Sequence, residues 1–175
     1  MGEQRGLRPD GFDYPNSPAM VSRIDLTGRT LVQRTSAGTR GVVAAADADR
    51  LWAASLACAS ATARAVDGAG LGEPTYVITG RFEDDPHGSG ADDEMTALLI
   101  ERARLGAPLD AAATSSALLD TDEAARTLAL GPAHCDPHDI ELASIVDAFD
   151  FAMEVERTDL GLRLTARRAA AGPVS

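Results

Sequence analysis

Thr30-Leu31-Val32-Gln33-Arg34-Thr35-Ser36-Ala37-Gly38-Thr39-Arg40 is the stretch on which the reading of the fold turns. Its β-branched and apolar first half predicts a strand over Thr30–Thr35. Gly38 can take the positive φ of a tight turn, and Thr39 is a fitting N-cap for a helix over residues 40–46. A strand running straight into a helix is the opening of an α/β unit.

The same alternation continues on both sides of this junction. Leu51-Trp52-Ala53-Ala54 reads as a second, buried strand, and Ala57–Val66 as a helix with Cys58 on its packed face. Thr75-Tyr76-Val77-Ile78-Thr79 is the clearest strand of all and ends at Gly80. Asp92–Leu105 is an amphipathic helix whose Met95, Leu98, Leu99 and Ala103 recur at helical spacing. Its acidic first turn, Asp92-Asp93-Glu94, suits the positive end of a helix dipole. Asp110–Leu118 and Asp122–Leu130 give one or two further helices, and residues 138–149 start acidic and turn helical. Phe151–Arg157 and Leu162–Arg167 alternate with period two and form a terminal hairpin turning at Asp159–Gly161. The expected fold is α/β: a layered mixed sheet, partly parallel, flanked by helices, with a C-terminal β-hairpin. Residues 1–21 form a turn-rich leader whose Phe12 and Tyr14 predict that it lies across the folded body. A single domain over residues 1–168 and a disordered tail at 169–175 complete the expectation.

Composition narrows the function classes. The chain of 175 residues carries 27 acidic and 16 basic residues, a formal net charge of −11. Such a balance argues against a nucleic-acid-binding surface. Its apolar runs are far shorter than the roughly 20 residues that span a bilayer, and its first residues lack a secretory signal. Two cysteines are too few and too far apart for a disulfide scaffold or a zinc site. A cytoplasmic protein is expected, with self-association left open. Every basic residue is Arg, which excludes Schiff bases and a P-loop lysine. An anion site here must therefore use Arg, which grips phosphate or carboxylate with two parallel N–H donors.

Arg34 to Arg40 gathers two Arg, three hydroxyls (Thr35, Ser36, Thr39) and Gly38 at one junction, as a phosphate or sulfonate requires. The plain alternative, in which the hydroxyls cap a helix and the Arg face water, weighs about equally. His134-Cys135-Asp136-Pro137-His138-Asp139-Ile140-Glu141 does not have zinc spacing, but Asp139 and Glu141 suit a hard cation such as Mg²⁺. Helix capping by Asp136 or Asp139 is the competing account. No Cys-x5-Arg loop accompanies Cys135, so a thiol phosphatase is not expected. Asp84, Asp85 and His87 with Asp92, Asp93 and Glu94 read as a solvated helix start more than as ligands.

These residues resemble one family through four blocks in order, over roughly residues 2–167. Gly2-Glu3-Gln4-Arg5-Gly6 with Gly11-Phe12-Asp13 and Asn16-Ser17-Pro18 is similar to a G-E-x-R-G…G-F-D-x-x-N-S-P stretch. Thr35-Ser36-Ala37-Gly38-Thr39-Arg40 is similar to T-T-N-G-T-R, with Ala37 in place of Asn. Ala54–Ala63 resembles a G-S-x-x-N-A-x-A junction, and Asp139-Ile140-Glu141 with Asp147 a D-I-E-x5-D motif. The family is the 2-phosphosulfolactate phosphatases (ComB-like proteins). The resemblance implies an α/β, Mg²⁺-dependent phosphoric monoester hydrolase that converts 2-phospho-3-sulfolactate to 3-sulfolactate and phosphate. It implies that Arg5, Asn16, Ser17, Arg34, Thr35, Ser36, Gly38, Thr39 and Arg40 hold a small phosphorylated acidic substrate. Asp139 and Glu141 would be metal ligand and general base in either order, with Glu3 a further metal candidate. The family begins with a further segment bearing a hydrophobic strand, which this sequence is expected to lack. The family's C-A-G-x-x-G is replaced by Ile78-Thr79-Gly80-Arg81-Phe82-Glu83, and its E-D pair is only echoed by Asp92-Asp93. The alternative is a catalytically impaired or truncated anion-binding homologue of that family.

Overall fold

Alanine dominates the centre of the molecule because two helices must approach closely there. The computed structural model describes residues 1–81 and 88–168. A 3₁₀ turn, Leu56–Cys58, leads into helix α3 (Ala59–Gly68), which lies against α4 (Ala91–Arg104). Leu56, Ala59 and Ala63 from the first meet Leu99 and Ile100 from the second, with Leu118 of α5 (Ala111–Leu119) closing the cluster. Ile100 is 1% exposed, a burial that stabilises by roughly 2 kcal/mol.

Helix α4 shows why its residues form a helix at all. Gly90 enters it from the left-handed region (φ 69°), and three acids fill the first turn while Arg102 and Arg104 fill the last. At its end Gly106 (φ 70°) donates to Ala103 O and Ala107 donates to Arg102 O, the doubled bond of a Schellman stop. Asp110 and Thr121 cap α5 and α6 (Asp122–Ala129) through their side chains. The two predicted helices are therefore separate. Helix α7 (His138–Ser144) is shorter than expected, because Ile145 is extended and Asp147 takes a left-handed φ of 56°.

The sheet is β1 (Trp52–Ala53), β2 (Ala152–Thr158) and β3 (Gly161–Arg167), in that order and antiparallel throughout. The α/β class and the terminal hairpin stand as read. Two predicted strands do not. Thr30–Thr35 and Thr75–Thr79 lie outside the three strands. The parallel pairing expected of them is confined to one bridge, Gly2 to Arg34. A β-branched run becomes a strand only when a neighbour completes its ladder, and the described residues supply none for 75–79. Helix α2 (Gly38–Ala44) follows the first of these segments, with Ala37 at the N-cap; Thr39 sits inside the first turn instead. The leader does pack on the body. Pro15, Ser17 and Ala19 are buried, and α1 (Pro18–Val21) rests on α7. The expected tail at 169–175 lies outside the described residues. No described helix is long and apolar enough to cross a membrane.

Candidate functional site

The G-E-x-R-G block and the Thr35–Arg40 loop, some thirty residues apart, meet at one carboxylate. Glu3 Oε1 accepts from Ser36 N, and Glu3 Oε2 accepts from the Ser36 hydroxyl (2.9 Å) and Gly6 N (2.8 Å). Ser36 Oγ in turn accepts from Arg5 N at 2.7 Å. Main-chain bonds run alongside, from Glu3 N to Arg34 O (2.9 Å) and from the N-terminal amine to Val32 O (2.8 Å). Arg5 and Gly6 form a two-residue turn between Gln4 and Leu7, with φ of 54° and 80°. Two positive φ values make this a type I′ turn, which is strained at a non-glycine residue. A Cβ at Gly6 would lie 2.7 Å from Leu130 Cδ1, so Gly is required there twice over.

Inside the loop the hydroxyls are already engaged. Thr35 N donates to Thr39 Oγ1 and Thr39 N to Thr35 Oγ1, each at 2.9 Å. Asn16 accepts from Gln33 Nε2 at 3.1 Å, outside the loop. Thr35, Ser36 and Thr39 thus shape the loop, while Gly38 opens α2. The cations are what remain: Arg5, Arg34 and Arg40 are all exposed, and among the described residues none has a carboxylate partner. Arg34 alone is tethered, by one bond from Nη1 to Glu3 O (3.3 Å).

The D-I-E motif is split by its helix. Asp139 is 5% exposed; its Oδ1 accepts from the Ser17 hydroxyl (2.9 Å) and Ala19 N (2.8 Å), its Oδ2 from Asp136 N (2.9 Å). Ser17 therefore holds this helix. Glu141 faces the other way, into an open groove of about 290 Å³ with Ala19, Ser22, Arg23, His138, Leu142 and Ile145. Beside it Asp136 binds Arg23 (3.1 Å) and His138 Nδ1 (2.9 Å). The bond from Asp136, helped by the charge of Glu141, raises the His138 pKa. Burial, then the charge of Asp139, pushes the Cys135 thiol up, so it is a poor nucleophile. Asp147 binds Ser60 N (2.7 Å) and Ser60 Oγ (2.6 Å), tying the fourth block to the third.

Two carboxylates matter more than their sequence setting suggests. Asp93 Oδ2 accepts from Thr79 N, Thr79 Oγ1 and Gly80 N, all within 2.9 Å. It fastens the 75–80 segment to the start of α4. Among the described residues Asp92 Oδ1 and Glu123 Oε2 are buried without a hydrogen-bond partner, and burial raises the Asp92 pKa. For Asp92 and Asp93 the signals were the acidic run 92–94 and the loose echo of an E-D pair. Asp84, Asp85 and His87 lie outside the described residues.

Glu3, Asp139 and Glu141 do not suit a hard cation together. Glu3 is committed to Ser36 and Gly6, Asp139 to the leader, and Glu141 lies in the separate groove. No group of three or more His, Cys, Asp or Glu among the described residues could hold a metal ion.

Comparison with known proteins matches the N-terminal 79 residues, the segment that builds the Glu3 clamp. Residues 1–79 fit the family model of 2-phosphosulpholactate phosphatase. A protein of Caldicellulosiruptor saccharolyticus named "Probable 2-phosphosulfolactate phosphatase" is 39% identical over 62 residues, 35% of this chain and 26% of its own length. One of the same name from Clostridium perfringens is 35% identical over 63 residues, 36% of this chain and 26% of its own. Another, from Thermoplasma volcanium, is 28% identical over 123 residues, 70% of this chain and 55% of its own. The chain thus spans about a quarter to a half of the length of the curated relatives it matches. No solved structure matches it.

Proposed function

We propose that this protein is a cytoplasmic phosphatase that binds the phosphate monoester of a small acid through Arg5, Arg34 and Arg40, with 2-phospho-3-sulfolactate as substrate. The observation that supports it is the Glu3 clamp. One carboxylate aligns two distant motifs and leaves three unneutralised guanidinium groups along them, in a chain of net charge −11. An acidic chain has little reason to keep three cations unpaired unless an anion neutralises them. The N–H groups of Ala37 and Gly38, which have no acceptor among the described residues, add two neutral donors to the same loop. Mg²⁺ is part of the proposal as a requirement only, since Glu3, Asp139 and Glu141 do not meet.

The test is release of inorganic phosphate from 2-phospho-3-sulfolactate, with and without Mg²⁺ and with EDTA. Release that persists in EDTA removes the metal from the proposal; no release in any condition removes turnover. Arg40→Ala is expected to lower kcat/KM about 10- to 100-fold, the loss of one charge-assisted hydrogen bond, with unchanged thermal stability. An unchanged kcat/KM would sink the loop as the anion site. The second reading, anion binding without turnover, is favoured by the separation of Asp139 from Glu141. It expects binding of the ester, measured by calorimetry, with no phosphate released.

A further inference from the structure

Strand β3 is the outer strand of the sheet, and the direction of its free hydrogen-bonding groups follows from the register. Val155 N donates to Leu51 O at 2.9 Å, on the β1 side, so the odd residues of β2 face β1. Its even residues then face β3, where Glu154 opposes Thr165 and Glu156 opposes Arg163. Those are the hydrogen-bonded pairs, so in β3 the odd residues bond inward and Leu162, Leu164 and Ala166 present N–H and C=O groups outward. Among the described residues no strand receives them.

An antiparallel copy of β3 centred on Leu164 matches this edge. Leu164 then opposes itself, Leu162 opposes Ala166, Arg163 opposes Thr165 and Gly161 opposes Arg167. All three outward residues fall in hydrogen-bonded pairs, giving about six bonds between the copies. No Arg faces an Arg. Of the cations on β3, Arg167 is already matched within each copy, by Glu154 and Glu156. Residues 152–168 hold four Arg against three acids, so this hairpin escapes the repulsion that the −11 charge imposes elsewhere. Leu162 and Leu164 are also exposed, at 37% and 48%. We propose that the protein forms a two-fold dimer by pairing β3 with β3 of a second copy, centred on Leu164, to make a continuous six-stranded sheet.

Sedimentation equilibrium of the full chain between 1 and 200 μM should show a monomer–dimer equilibrium. Leu164→Arg, which sets two like charges face to face across the axis, should give a monomer with an unchanged circular dichroism spectrum. Hydrogen exchange provides a check that needs no variant. The amides of Leu162, Leu164 and Ala166 should slow at least tenfold with rising concentration, while those of Arg163 and Thr165 stay constant. A wild-type monomer at 200 μM overturns the proposal. So do a dimer that survives Leu164→Arg, species larger than two copies, or concentration-independent exchange at those three amides.

Discussion

The clamp at Glu3 and the tie at Asp139 use the same device with different remainders. Each is a carboxylate that takes three donors from chain segments far apart in sequence, and each anchors the N-terminal leader. Around Asp139 the neighbouring charges close on themselves: Arg23 and His138 both lean on Asp136. Around Glu3 they do not, since Arg5, Arg34 and Arg40 are left over. A saturated carboxylate is scaffold in both places; the capacity to bind lies in what the scaffold leaves unmatched.

Substitutions can break this comparison. Asp139→Ala should have the largest effect, about 3 to 5 kcal/mol of lost stability, since it strands two N–H groups and a hydroxyl in a buried place. Chemical denaturation measures it, and a loss below about 1 kcal/mol would show the tie to be incidental. Glu3→Ala should cost less, about 2 kcal/mol, because its surroundings are only half-buried. It should also weaken phosphate-ester binding, where Asp139→Ala at a temperature that keeps it folded should not. Equal binding losses in the two variants would erase the distinction drawn here.

Two smaller effects lie around α4. Burial holds the Asp92 carboxyl above the ordinary carboxylate range, so the folded state binds its proton more readily than the unfolded chain. Its ionised form therefore costs stability at neutral pH, and the cost fades as pH falls through the folded value. Asp92→Asn should raise stability at pH 7, and the gain should shrink by pH 4. A thermal melt at both values checks the sign. Tyr76, pushed up to about 12 chiefly by burial and then by its bond to Glu101 (2.9 Å), should stay protonated across that range. Tyr76→Phe should cost about 1 kcal/mol, equally at pH 5 and pH 9.

What could be read from the sequence was local. Period-two alternation gave the hairpin and helical spacing gave α4, because each signal needs only its neighbours. Thr30–Thr35 and Thr75–Thr79 carry equally strong propensity yet remain outside the sheet, because a ladder needs a second chain segment. The structural tie at Asp139 was hidden for a related reason. Its D-I-E setting suggested chemistry, while two of the donors that occupy it lie some 120 residues away. Asp93 gave no warning beyond the charge of its helix start and a loose echo of an E-D pair. The Glu3 clamp was half legible: both motifs stood out, but not the bond that joins them.

The bond between Ser17 and Asp139 also sets an order in time. A ribosome adding about 5 to 20 residues per second needs roughly 6 to 25 s to travel from one to the other. Throughout that interval Ser17 and Ala19 have no acceptor, and α1 has no helix to rest on. The leader, made well before α7, is seated only after it, and until then its buried face is open to whatever meets it first.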